Sequence, residues 1–141
     1  ALEVCEAKHN QKILPGHVYI APGDQHLKIA RDENSNSLYC KLDDGEAINR
    51  HKPSVDVLFR SACKAAGNNT IGILLTGMGS DGARGLKEMQ DAGAVTIVQD
   101  EQSSIVWGMP GEAVKMQAAD FILPLNKIAD KITTLMQECS H

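Results

Sequence analysis

No apolar run among the 141 residues is long enough to span a membrane. No charged and apolar leader of the secretory kind stands at Ala1. These two absences exclude an inserted helical membrane protein and predict a cytoplasmic one. Basic residues are scarce: 14 Lys and Arg against 18 Asp and Glu leave a net charge of -4, which argues against a nucleic-acid partner. Cys5, Cys40, Cys63 and Cys139 stand far apart with no C-x-x-C pair, so neither a zinc site nor a disulfide framework is expected, only reduced thiols. The five histidines, His9, His17, His26, His51 and His141, show no metal-ligand spacing. No metal and no cofactor are expected. Repeats and low-complexity segments are missing as well. An initiator Met is also missing, as in a processed chain or one cut from a longer protein.

What is present is an ordinary globular composition, 43% hydrophobic and 23% charged, in a length that fits one domain with a real core. The first part, 1–48, reads as a strand and hairpin region, antiparallel in character, although residues 1–12 are polar and mixed and give no firm reading. His17 to Ala21 is a short strand after the Pro15-Gly16 turn. Leu27–Arg31 and Leu38–Leu42 alternate around the polar cluster 32–37, which predicts a β-hairpin. From 49 to 141 the pattern changes. Ser54 reads as an N-cap before a helical stripe of Val55, Leu58, Phe59, Ala62 and Ala66, and Gly67 is placed to end that helix in the left-handed conformation. Buried strands follow at Ile71–Leu75, Ala94–Val98 and Phe121–Leu123. They alternate with helices at Ala83–Ala92, Gly111–Ala118 and a last one capped by Asn126, with Ile128, Ile132, Leu135 and Met136 on one face. Such alternation predicts a doubly wound, mostly parallel α/β sheet in three layers (αβα, Rossmann-like) with an inserted antiparallel hairpin. The opening βαβ part of such a fold is not in the sequence.

The stretch Thr76-Gly77-Met78-Gly79-Ser80-Asp81-Gly82-Ala83 joins a buried strand to a helix. In an open α/β sheet, functional groups gather at the carboxyl ends of strands. Gly77-x-Gly79-x-x-Gly82 matches the dinucleotide fingerprint, and Asp100 ends the next strand, where a ribose-binding acid would stand. Asp81 counts against that reading, because it brings a carboxylate to the helix N-terminus that a pyrophosphate would need. The loop is better suited to holding Asp81 ionised, its pKa lowered by amide donors and the helix dipole. Two roles stay open on the residues alone: a helix cap, or the acid that orients a histidine in a Ser-His-Asp triad. Ser80 is not in a G-x-S-x-G elbow, since Met stands at 78. Arg50 and Lys52 make a small basic spot next to His51, and His26 follows a Pro-Gly turn.

At Thr76–Ala83 the chain resembles the catalytic domain of the CheB family, the chemotaxis receptor protein-glutamate methylesterases. Four further stretches agree in the family's order: Leu14-Pro15-Gly16 with Ile20–His26, Asn49–Phe59, Gln99-Asp100-Glu101-x-Ser103, and Gly108-Met109-Pro110-x-Glu112-Ala113. Five ordered matches favour the orienting acid over the cap.

The resemblance implies hydrolysis of glutamate methyl esters on the cytoplasmic helices of methyl-accepting chemoreceptors, and deamidation of receptor glutamines. The implied chemistry is a Ser-His-Asp triad with Asp81 as its acid and the backbone N–H of Met78 as an oxyanion-hole donor. It further implies that Thr76, Gly77, Gly79, His26, Arg50 and His51 line the cleft, and that the segment Asn49–Asp56 lies near it in a supporting role the sequence does not assign. The family's nucleophilic Ser, its base His and its receiver domain precede the position of Ala1. Residues 1–141 therefore read as a partial catalytic domain, inactive alone, whose exposed sheet edge invites a homodimer. A dinucleotide-binding module and a non-catalytic receptor-binding module are the alternatives.

Overall fold

A computed structural model describes residues 1–139; Ser140 and His141 lie outside it. Eight strands and four helices follow in the order β1 (Glu3–Glu6), β2 (Gln11–Lys12), β3 (His17–Ile20), β4 (His26–Arg31), β5 (Leu38–Asp43), α1 (Val55–Ala66), β6 (Ile71–Leu74), α2 (Ala83–Asp91), β7 (Val95–Gln99), α3 (Met109–Lys115), β8 (Phe121–Leu123) and α4 (Leu125–Cys139).

The second part is an α/β unit. β6, β7 and β8 form a parallel sheet in that order, with Ile71 opposite Val95 and Ile97 opposite Phe121. Alternation along the strands sends side chains to two faces. On one face Leu74 and Val98 pack with Leu86 and Met89 of α2 and Ala113 of α3. On the other, Ile71, Ile73 and Ile97 meet Ile128, Ile132 and Leu135 of α4. The layers are therefore helix, sheet, helix. At Gly72 a Cβ would sit 2.7 Å from Leu86 Cδ1, which is why the strand carries no side chain there and α2 lies close.

The first part departs from a simple hairpin. β4 and β5 do pair antiparallel, Ile29 opposite Cys40, but β2 adds to the far side of β5 and makes a three-stranded sheet. β1, in a stretch too mixed to read, pairs parallel with β3, Val4 opposite Val18. The region is thus not antiparallel throughout. α1 joins the two parts: Leu58 packs on the Leu27–Cys40 cluster, and Phe59 packs with Leu86.

Four local expectations are corrected. α3 begins at Met109 with Pro110 in its first turn, ahead of the predicted Gly111, because proline suits a position whose amide has no helical partner. Asn126 lies inside α4 and does not cap it; the Leu125 amide donates to Ser103 Oγ at 3.0 Å. Met136 is exposed, one position off the buried stripe of Ile128 and Leu135. Gly67 has the positive φ expected of it, +53°, but ψ is -121°, outside the left-handed helical well. Cys5, Cys40 and Cys63 are free thiols. No helix among the described residues is long and apolar enough to cross a membrane.

Candidate active site

β6 ends at Leu74, and the chain then turns through residues 75–82 before entering α2. Two sets of hydrogen bonds fasten this loop. The first is a short parallel ladder to the segment before α3. Gly77 N donates to Val106 O at 3.0 Å, and Gly77 O accepts from Gly108 N at 3.0 Å and Met109 N at 2.8 Å. Thr76 Oγ1 donates to Val106 O and accepts from Val106 N, both at 2.9 Å. The second set centres on the buried side chain of Gln99, at the end of β7. Its Oε1 accepts from Thr76 N at 2.8 Å, and its Nε2 donates to Ser103 O at 2.7 Å. Close backbone contact demands glycine here. A Cβ on Gly108 would stand 2.8 Å from both Gly77 O and Gly79 N, main-chain atoms that cannot swing aside.

The loop so held presents Met78 to solvent, 76% exposed. Among the described residues the Met78 N–H donates no hydrogen bond. Beside the loop a groove of about 680 Å³ runs between Gly79, Ser80, Glu101, Trp107, Gly108 and Glu112. Trp107 is fixed by its indole N–H, which donates to Gln99 O at 2.8 Å.

Asp81 lies beneath this surface, 2% exposed. Its Oδ2 accepts from Val55 N at 2.7 Å. Its Oδ1 accepts from Ser54 Oγ at 2.8 Å, Asn49 Nδ2 at 3.0 Å and Asp56 N at 3.3 Å. All four donors come from the approach to α1 and its first turn, not from α2, the helix that Asp81 precedes. The expected cap is therefore inverted. Ser54 has the extended backbone of an N-cap, but its hydroxyl makes no bond to its own helix and points to Asp81 instead. The free amides at the start of α1 are met by a carboxylate from another element. The exchange is mutual: Asp56, in the first turn of α1, accepts from Gly85 N in the first turn of α2 at 2.8 Å. Each helix start is served by an acid from beside the other.

Burial would push the Asp81 carboxyl up. The Asn49 amide, the Val55 amide, the Ser54 hydroxyl and the Asp56 amide outweigh it and hold the group below the ordinary carboxylate range. Among the described residues no Lys or Arg pairs with Asp81. An anion held by dipoles alone keeps its charge without a counter-ion that would compete for it.

The remaining predicted residues fall into two groups. Thr76, Gly77, Gly79 and Met78 form the loop, and His51 joins them: its Nε2 is 3.9 Å from where a Cβ on Gly79 would stand. Arg50 is exposed in the turn before it, at φ +67°. His26 is buried and away from the open surface. Its Nδ1 accepts from Ser54 N at 3.1 Å, so the proton sits on Nε2, which donates to Glu46 O at 2.7 Å. It positions the entry to α1, and at 2% exposed it does not face the open groove, contrary to expectation. Asn49, Ser54 and Asp56 fall in the segment that the resemblance brings near the cleft without a role, and the structure shows what each one holds; Gln99, in another matching stretch, carries no site expectation. No spacing pattern marks them, because each makes a bond to a partner 23 to 32 positions away in the chain. Among the described residues no group of His, Cys, Asp or Glu is arranged to hold a metal ion.

Comparison with known proteins gives one answer. The pattern of the CheB methylesterase family matches residues 1–132. A protein-glutamate methylesterase/protein-glutamine glutaminase of Hydrogenovibrio crunogenus is 56% identical over 137 residues, 97% of this chain and 36% of that protein. A second one, from Saccharophagus degradans, is 58% identical over 132 residues, 94% of this chain and 37% of that protein. The chain thus spans little more than a third of the curated relatives it matches. The crystal structure of the Thermotoga maritima CheB methylesterase catalytic domain superposes with a TM-score of 0.89 at 35% identity, covering 92% of this chain and 68% of that one.

Proposed function

The chain belongs to the CheB methylesterase family, and on that premise we propose that it supplies the acid and part of the oxyanion hole of a serine-type protein-glutamate methylesterase and glutamine deamidase. The substrates are methyl esters, and some glutamines, on the cytoplasmic helices of chemoreceptors, and the protein works in the cytoplasm. A serine oxygen attacks the ester carbonyl while a histidine takes its proton. The histidine returns that proton to the departing methanol, and water then cleaves the acyl-enzyme to leave glutamate. Asp81 holds the histidine's Nδ1–H and favours the imidazolium. The Met78 N–H meets the developing oxyanion. In this reading Thr76, Gly77, Gly79 and His51 flank the cleft.

One observation carries this reading: a buried, charged carboxylate with no cation beside it, under a rigid loop that offers a free amide. The dinucleotide alternative gains no support. The Gly85 amide that would face a phosphate is taken by Asp56, and two carboxylates crowd the start of α2. The nucleophile and base come from residues outside these 141, with a receiver domain as partner in the longer protein.

The test is methanol release from a methylated receptor by the longer protein and by residues 1–141 alone. Turnover is expected only from the longer protein. Turnover by the short chain sinks the division of the triad, and receptor binding by the longer protein without any hydrolysis favours a binding module instead. A homodimer through open sheet edges belongs to the same proposal. Among the described residues β6 pairs on one side only, and the β1–β3 pair exposes Val4, Val18 and Ile20 on one face. Sedimentation equilibrium on residues 1–141 should show a dimer at tens of micromolar, on the order expected for a weak interface; a monomer throughout counts against it.

A further inference from the structure

The turn before α1 holds a side chain that touches both buried acids. Ile48 and His51 exchange backbone hydrogen bonds at 3.0 and 2.9 Å, and the two residues between them, Asn49 and Arg50, have φ of +53° and +67°. Two consecutive positive φ values are the pattern of a type I′ turn, in which Asn is favoured. The turn is exposed, yet Asn49 Nδ2 reaches inward. It donates to Asp56 Oδ2 at 2.6 Å and to Asp81 Oδ1 at 3.0 Å. Both acids are nearly sealed, 1% and 2% exposed.

An amide nitrogen carries two protons, and here each is committed to a different carboxylate. Three donors then converge on Asp81 Oδ1 and one on Oδ2. A carboxylate offers about four acceptor positions, two per oxygen. Oδ1 is therefore filled, and the open position is on Oδ2. We propose that Asn49 is a positioning residue: by bridging Asp56 and Asp81 it keeps two like charges side by side, fills Oδ1, and leaves Oδ2 as the oxygen that receives the triad histidine. This rests on Asp81 being the triad acid, but its first test does not.

Among the described residues the titratable groups linked to Asp81 from other elements are Asp56 of α1, through its own N–H and through Asn49, and His26 of β4, through Ser54; His51 stands near the same loop at Gly79. Of these, Asp56 carries the like charge. Without the amide between them the two carboxylates repel, and the proton affinity of Asp81 rises. That direction agrees with Asn49 being the foremost of the groups that hold Asp81 low.

The experiment uses Asn49→Gly and Asn49→Asp. Glycine accepts the positive φ and removes only the amide. Aspartate keeps the shape and replaces the donor with a third carboxylate. Carboxyl carbon NMR on residues 1–141 gives the titration midpoint of Asp81 directly and needs no activity. The midpoint should rise by about one pH unit or more in the glycine variant and further in the aspartate variant. An unchanged midpoint in folded Asn49→Gly overturns the proposal. Should the aspartate variant fail to fold, the glycine variant decides alone. In the longer protein Asn49→Gly should lower kcat about tenfold, the weight of one charge-assisted hydrogen bond, with KM unchanged. A raised KM at constant kcat instead assigns Asn49 to substrate contact and overturns the positioning role. If the midpoint moves but the longer protein shows no hydrolysis at all, the charge bridge stands and the triad reading fails.

Discussion

Asp81→Asn in the longer protein is expected to lower kcat for ester hydrolysis about 10⁴-fold with little change in KM, the cost of presenting the histidine in the wrong tautomer. The swap is nearly isosteric, but it exchanges one acceptor oxygen for a donor. In this protein it also strikes the fold. The new carboxamide can turn its oxygen toward Val55 N or toward the group formed by Asn49, Ser54 and Asp56 N, and whichever it abandons meets an N–H. Leaving a buried donor unmet costs about 1–3 kcal/mol, so the urea midpoint of residues 1–141 should fall at neutral pH. The sign with pH follows from the lowered carboxyl. In the unfolded chain the group titrates at about 3.8, and in the folded one lower. Its contribution is complete above the unfolded value and is lost as pH falls through the folded one. The stability gap between wild type and variant should therefore narrow below about pH 4. Full activity in Asp81→Asn returns Asp81 to a purely structural cap, and a gap that widens in acid reverses the ionisation argument.

Gly82→Ala is expected to destabilise residues 1–141 by about 2–4 kcal/mol. Two causes add. Gly82 lies at φ +94°, which side-chain-bearing residues rarely adopt. A Cβ there would also stand 2.9 Å from both Leu74 Cδ1 and Val55 Cγ1. Val55 is β-branched and sits in the helix turn that bonds Asp81, so it has little freedom to yield. Gly23→Ala is the control. It too lies in a turn, but its Cβ would meet nothing within 4 Å, and its φ is outside the strained range. Guanidinium unfolding of both variants checks the contrast. A loss under about 1 kcal/mol at Gly82 would show that the α1 approach can relax, and the tight fit around Asp81 would no longer follow.

The strands and helices from residue 53 onward were legible because each carries its own period and its own stops. Phe121–Leu123 and α1 are read correctly from apolar spacing alone. β1 was not legible: Glu3, Val4, Cys5 and Glu6 show no clean alternation, and the strand exists through its parallel pairing with β3. The site shows the same division. Asp81 could be singled out from the glycine pattern around it, and Met78 stands exposed as a loop-tip residue should. Ser54 misled, because its sequence context is that of a self-sufficient cap, while its hydroxyl serves a partner 27 positions away. Asn49, Asp56 and Gln99 look like ordinary polar residues until the crossing of α1 and α2 and the pairing of β6 and β7 bring them into place. Local chemistry writes the elements; which acid meets which amide is decided only by how the elements cross.

The exchanged helix caps have a bearing on design. An engineer wishing to install this acid elsewhere would be tempted to graft Thr76–Ala83 onto another strand–helix junction. The transplanted loop would carry the turn but not the ionisation, for all four groups that hold Asp81 charged belong to Asn49 and residues 54–56. The smallest portable unit is a pair of helix starts with the turn that precedes the first. By the same logic, sequence drift in either helix start is constrained by the other, so α1 and α2 must change together or the carboxylate is lost.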